Sequence, residues 1–203
     1  GDLIVDEYIT CEPLGMSQED PTIVVMPLDS TRFIGGAGIV AAHAAGLGAS
    51  VQFISVTGSD ASREFALERL EEVGVDAQLL EDDNRPTTLK QRFRSKGKSL
   101  LRVSHLHQGA ISAELQARLL MKFEQVLDGL DLLVFADFNY GCLPQSLVDQ
   151  LVTMAKDRDI LLVADSQSSS QLGDISRFRG MDLITPTEHE ARISTRNRED
   201  GLV

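Results

Sequence analysis

No run in this sequence approaches the ~20 apolar residues that a membrane-spanning helix needs, and no part of it is read as a membrane span. Cysteine is scarce: Cys11 and Cys142 are the only two. They match neither a disulfide framework nor a zinc site, and read as two reduced thiols of a cytoplasmic protein. Positive charge is scarce too. Nineteen Lys and Arg against 31 Asp and Glu leave a formal charge of −12, which argues against general affinity for nucleic acid or anionic membranes. There is no internal repeat and no low-complexity tract. What is present is 203 residues, 42% of them apolar, ample for one domain around a single core. Both ends look cut: Gly1 is not an initiator, and an apolar run restarts at Leu202-Val203. The expectation is a fragment of a longer polypeptide.

The most informative stretch is Arg32 to Ala49, where an extended segment meets Gly35-Gly36 and an alanine-rich helix follows. Glycines at such a corner let backbone approach a ligand closely, and the helix start leaves N–H groups unpaired. Past Ser50, strands and helices alternate. Val51 to Thr57 reads as a buried strand, and Ser59 or Asp60 caps a helix to about Val73, closed by Gly74. Ala77 to Leu80 reads as a short strand. Ser112 caps a helix to about Leu127, and Leu130 to Ala136 follows as an apolar strand. Gln145 to Asp157 is helical, Ile160 to Asp165 and Met181 to Thr185 are strands, and a further helix starts near Thr187. This order predicts the α/β class: a three-layer α/β/α sandwich with a largely parallel sheet.

Two stretches break the rhythm, Thr22 to Leu28 and Thr88 to Ser104. They are extended without matching helices, and Ser95-Lys96-Gly97-Lys98 reads as a hairpin turn. Together they predict a small β flap, with segments at about 9–34 and 86–105. Between Arg85 and Arg102 lie seven basic residues, Arg85, Lys90, Arg92, Arg94, Lys96, Lys98 and Arg102, with no Asp or Glu among them. Period-two alternation puts Lys90, Arg92 and Arg94 on one face. Such a row can bind phosphate oxygens through charge-assisted bonds, or it can be a solvated flap whose charge discourages edge pairing. The pattern leaves both readings open.

Several look-alikes carry less. Gly36-Ala37-Gly38-Ile39-Val40-Ala41 fits the G-x-G-x-x-A form of a dinucleotide fingerprint, which would make the chain a nicotinamide-dependent oxidoreductase. The acidic residue that fold wants about 20 positions on is replaced by Val56 and Thr57. Gly97-Lys98-Ser99 lacks the first glycine of a P-loop, Arg92 standing in its place. His105 and His107 have no Cys, Asp or Glu close in sequence to complete a metal set. RNA binding through the basic hairpin lacks stacking aromatics beyond Phe93.

With these features in order, the chain resembles the ribokinase-like (PfkB) carbohydrate kinases, and among them the heptose-7-phosphate kinases, from Gly1 to about Ile193. Gly1-Asp2-Leu3-Ile4-Val5-Asp6 is similar to the end of that family's first strand. Gly35-Gly36 with the helix and Leu47-Gly48-Ala49 is similar to its first signature. Lys90-Gln91-Arg92 with Leu100-Leu101-Arg102 resembles the flap segment near the sugar phosphate. Asp137-Phe138-Asn139-Tyr140-Gly141 stands for Asp-Tyr-x-Lys-Gly, Asp165 for the start of Asp-Pro-Lys, and Thr187-Glu188-His189-Glu190 for Asn-x-x-Glu. The family's Asn in the glycine signature is Ile39 here, its Lys is Tyr140, and its Asn is Thr187.

The resemblance implies an ATP- and Mg2+-dependent kinase acting on a sugar or sugar phosphate. Asp2, Asp6, Gly35, Gly36, Lys90, Arg92, Arg102 and Asp137 would bind substrate. Asp165, Thr187 and Glu190 would handle nucleotide phosphates, with Glu190 orienting magnesium through water. The family's Gly-Ala-Gly-Asp segment, which carries the catalytic base, does not occur in these residues and is expected beyond Val203. The chain alone is therefore expected not to turn over ATP. The flap is expected to pair two copies into a homodimer. The departures keep a second function open, a non-catalytic sugar-phosphate-binding module.

Overall fold

The computed structural model describes residues 1–167 and 173–196. Its longest strands come first: β1 (Leu3–Met16) and β2 (Ile23–Gly36) pair antiparallel from Leu3↔Gly36 outward. β2 runs directly into α1 (Ala37–Gly46). The junction residue Gly36 has φ 58, a left-handed conformation that a Cβ disfavours. β3 (Val51–Thr57), α2 (Ala61–Glu72) and β4 (Val75–Glu81) form one parallel unit. β5 (Leu89–Ser95) and β6 (Lys98–His105) form the hairpin. α3 (Ala113–Val126), β7 (Leu132–Asp137), α4 (Gln145–Lys156), β8 (Leu161–Ser166), β9 (Leu183–Ile184) and α5 (Glu188–Thr195) complete the order.

The helix starts follow their capping chemistry. Asp60, not Ser59, caps α2 by accepting from the Ser62 and Arg63 N–H groups. Ser112 accepts from Leu115 N–H. Thr187 and Glu190 close a reciprocal capping box on α5. In the hairpin, Lys96 (φ 48) and Gly97 (φ 80) form a two-residue loop between Ser95 and Lys98. Positive φ at both is the primed turn whose twist matches the flanking strands.

β3 and β4 pair parallel, as do β7, β8 and β9. The chain start bridges these two groups: Gly1 N donates to Ile54 O and Asp2 N to Ala136 O, both at 3.1 Å. Helices α1 and α2 cover one face through Ala37, Ala41, Ala66 and Leu70, which pack with Leu3, Phe53 and Leu79. Helices α3 and α4 cover the other through Leu115, Leu119, Leu147 and Leu151, which pack with Phe135 and Leu162. The result is the expected three-layer α/β/α sandwich. Each fully buried Leu here contributes about 2 kcal/mol from the apolar surface it removes from water.

The flap is a four-stranded sheet in the order β2-β1-β5-β6, with β1 and β5 parallel and the outer pairs antiparallel. It is larger than the two segments expected from sequence, because β1 begins in the sandwich and continues outward into the flap. This topology also removes support for the dinucleotide reading. That fingerprint needs a strand of a βαβ unit before its glycines, whereas β2 pairs antiparallel with β1 in the flap.

Candidate functional site

The site forms where β1 leaves the sandwich. Strand registry sets Asp6 beside Lys90, Tyr8 beside Arg92, and Arg92 opposite Arg102. Residues paired in this way project from the same face of a sheet, so Asp6, Lys90, Arg92 and Arg102 share the flap face. On the other side of β1, Ile4 pairs with Gly35 and Asp6 with Phe33. A Cβ on Gly35 would collide with the Asp6 carboxylate. The missing side chain therefore leaves the carboxylate beside bare backbone.

Asp6 forms an ion pair with Arg92, with the two side chains 21% and 25% exposed. Burial tends to lower the Arg92 pKa, but the hydrogen bond and charge of Asp6 outweigh it and raise the value. Arg92 and Arg94 lie over the Tyr8 ring, 5.1 and 5.6 Å from its centroid, and Phe33 meets the same ring edge-on at 5.7 Å. Lys90 Nζ stands 5.1 Å from the Tyr140 ring centroid. Arg102 is exposed on the neighbouring edge strand. The face thus offers one carboxylate acceptor for hydroxyls, several cations for an anion, and aromatic rings that hold those cations in place.

Two of the expected substrate residues are placed elsewhere. Asp2 is 4% exposed, and its carboxylate accepts from the N–H groups of Phe138 (2.8 Å), Cys142 (3.1 Å) and Tyr140 (3.4 Å). Burial raises its pKa, against the bonds from Phe138 and Cys142. Its oxygens are committed to shaping the 138–142 loop. Asp137 is 1% exposed. It accepts from Ser166 Oγ at 2.9 Å and pairs with Arg177 at 3.0 Å. In both cases a carboxylate enclosed in the sandwich is bonded to protein donors.

A second group gathers at the C-terminal ends of β8 and β9. Thr185 Oγ1 donates to Asp165 at 3.0 Å. The Asp165 pKa is raised by burial and by the charges of Glu190 and Asp137, against the Thr185 bond. Thr187 N and Oγ1 both donate to Glu190 Oε2 at 2.8 Å, so Thr187 also serves as the helix cap. Carboxylates crowded enough to raise the pKa of Asp165 suit a nearby cation. Among the described residues no three His, Cys, Asp or Glu side chains gather to hold a metal ion directly.

Sequence reasoning missed Tyr8, Phe33 and Arg177. Tyr8 was within reach, since alternation puts it on the face of Asp6. Nothing in spacing pointed to Arg177, whose partner is 40 residues away.

A family model described as pfkB family carbohydrate kinase matches residues 12–200. The bifunctional protein HldE of Helicobacter hepaticus is 31% identical over 198 residues, covering 96% of this chain and 40% of that protein. HldE of Rhodopseudomonas palustris is 32% identical over 205 residues, covering 100% of this chain and 41% of that protein. The chain therefore spans about two fifths of the length of these relatives. Phosphofructokinase-2 from Escherichia coli, solved in complex with substrates and products, superposes with a TM-score of 0.72 at 18% identity, over 99% of this chain and 63% of that one. Arabidopsis thaliana ribokinase complexed with ribose and ATP gives 0.67 at 18% identity, over 97% and 61%.

Proposed function

The chain belongs to the pfkB family of carbohydrate kinases, and on that premise we propose that it is the sugar-holding part of a kinase. The kinase passes the γ-phosphoryl group of ATP to a hydroxyl of a phosphorylated sugar of the heptose phosphate kind. One observation carries this reading: Asp6, bare backbone at Gly35, and the cations Lys90, Arg92 and Arg102 share one face of the flap.

Asp6 accepts from sugar hydroxyls, and Gly35-Gly36 lets the ring lie against the backbone. Lys90, Arg92 and Arg102 bind the substrate's own phosphate. This array orients the acceptor hydroxyl, and in phosphoryl transfer positioning and charge neutralisation account for most of the catalysis. Asp165, Thr187 and Glu190 stand on the nucleotide side. Asp165 and Glu190 would hold magnesium through its water shell, where it neutralises charge on the phosphates. The general base belongs to a part of the kinase outside residues 1–203.

The reading extends to a homodimer. Leu14, Met16, Ile23, Val24, Met26 and Leu28 are all exposed on the outer flap, and β2 and β6 are open edges, the arrangement that invites a second copy. It extends also to a cytoplasmic setting, to which the free, buried Cys11 and Cys142 are suited. The departures at Ile39, Tyr140 and Thr187 favour a second reading, a binding module that holds sugar phosphate without turnover.

Calorimetry with a heptose 7-phosphate and with the free heptose tests the site. We expect the phosphorylated sugar to bind more tightly, and Asp6→Asn to weaken both by at least tenfold, since a hydrogen bond to a charged group is worth roughly 1.5–3 kcal/mol. Absence of binding by any phosphorylated sugar would refute the reading. Sugar-dependent ATP turnover by residues 1–203 alone would refute the placement of the base.

A further inference from the structure

Tyr140 occupies the position where the resemblance has a lysine, and its surroundings give it a task. The residue is 2% exposed, in the loop that Asp2 holds. Its N–H donates to Asp2 Oδ2 at 3.4 Å, and its carbonyl accepts from Arg85 Nη1 at 3.2 Å. The Arg85 guanidinium is itself fixed, with Nε on Asp82 at 2.8 Å and Nη2 on Gly109 O at 3.0 Å. Loop and ring therefore have little freedom. Lys90 Nζ sits 5.1 Å from the ring centroid, within the range in which an ammonium is attracted to an aromatic face. Lys90 is also the residue in register with Asp6.

The geometry points to Tyr140 as a positioning residue for the substrate's anionic group. A lysine at 140 would bring an ammonium from the sandwich side. This chain brings a ring instead, which steadies the flap ammonium of Lys90 beside the carboxylate that takes the sugar. The ion pair fixes Arg92 on Asp6, and the ring fixes Lys90. The cations that meet the phosphate then all come from β5 and β6, and residue 140 acts through one of them. The inference rests on the sugar-phosphate reading above and deepens it. The substrate class is a sugar whose phosphate reaches the flap, held without a cation at position 140.

Two measurements on the full chain separate this inference from the reading beneath it. The first needs no ligand. The chain has five lysines, and after reductive methylation each gives an NMR signal, with Lys90→Arg identifying one of them. The Lys90 signal is expected upfield of the other four because of the Tyr140 ring, to stay there in Tyr140→Phe and to rejoin the others in Tyr140→Leu. The second is calorimetry with a heptose 7-phosphate and the free heptose. Tyr140→Leu is expected to weaken the phosphate-bearing sugar about tenfold, the scale of a partly desolvated cation–ring contact, and to change the free sugar less than twofold. Tyr140→Phe should match the wild type. Should Tyr140→Leu fail to fold, Lys90→Met takes its place in the calorimetry and must show the same phosphate-selective loss. A Lys90 signal grouped with the other lysines overturns the inference, as does an equal effect, or none, on the two sugars. An upfield Lys90 signal in a wild type that binds no phosphorylated sugar brings down the substrate reading, and the inference with it.

Discussion

At the start of β1 the chain passes from sandwich to flap, and two carboxylates there, Asp2 just before the strand and Asp6 within it, meet different surroundings. Asp2 is enclosed and accepts three backbone N–H groups from one loop. Asp6 is partly open and faces a guanidinium. The same contrast recurs between Asp137, caged by Ser166 and Arg177, and the basic row of β5, held over the half-buried Tyr8 ring and the buried Tyr140 ring. In the sandwich, the Asp2 and Asp137 carboxylates are held by protein donors. On the Asp6 face of the flap, the charged groups are held by contacts that water and ligand can share. A substrate can exchange partners only with the second kind, because removing a buried carboxylate's donors leaves it unpaired in a low-dielectric interior.

The sharpest way to break this comparison is at Arg177. Its guanidinium pairs with Asp137 at 3.0 Å, and the two side chains are 19% and 1% exposed. Arg177→Met leaves the buried carboxylate without its cation, and breaking such a pair costs roughly 3–5 kcal/mol. For a chain of this size each kcal/mol lowers the melting temperature by about 2–4 °C. A fall of about 10 °C is expected in calorimetric or circular-dichroism melting, with sugar-phosphate binding unchanged at temperatures where the variant is folded. A loss of binding without a loss of stability would place Asp137 in the site after all.

Asp2 should give the next largest effect. Asp2→Asn keeps the volume but turns one acceptor oxygen into an NH2 group that faces N–H donors. The expected cost is about 1–3 kcal/mol, read as a lower urea midpoint. Because the 138–142 loop carries Tyr140, weaker binding of the phosphorylated sugar should accompany it. Asp6→Asn should show the reverse profile, with binding lost and the midpoint little changed. If the two variants behaved alike, the distinction between Asp2 and Asp6 would fail.

What the sequence disclosed divides along the same line. Local signals were sufficient for a cap at Ser59 or Asp60, for the cap at Ser112, for a helix start near Thr187, for the Ser95–Lys98 turn and for the shared face of Lys90 and Arg92. Each depends on neighbours within a few residues. The alternation of strands and helices was sufficient for the sandwich. Asp6 and Gly35 came from likeness to a family, since an Asp on a strand and a Gly at its end have many uses. The protein partners of Asp2 and Asp137 were not legible because they lie far along the chain, at 138–142 and 177. The approach of Tyr140 to Lys90 spans 50 positions of sequence. No periodicity encodes which loop folds beneath which strand.

The smallest expected effect compares the two faces of the flap with the sandwich through pH. Glu7, on the face opposite Asp6, accepts from Gln91 Nε2 and Ser30 Oγ at 2.7 Å each and from Arg32 Nε at 3.0 Å. Burial alone would raise its pKa, but these donors and the Arg32 charge outweigh it and hold the value below 4.5. Its contribution to stability is therefore fully present above that value and is lost as pH falls through the depressed folded pKa. Asp2 has the opposite sign. Burial lifts its folded pKa above 3.8, so its ionisation disfavours the fold at higher pH, and that penalty fades as pH falls through the folded value. Urea midpoints measured from pH 6 to pH 3 should reveal both. Glu7→Gln should lose less stability than the wild type toward the acid end, and Asp2→Asn should lose more. Parallel curves for the three proteins would mean that neither carboxylate changes its environment on folding, which the donors around Glu7 and the enclosure of Asp2 both argue against.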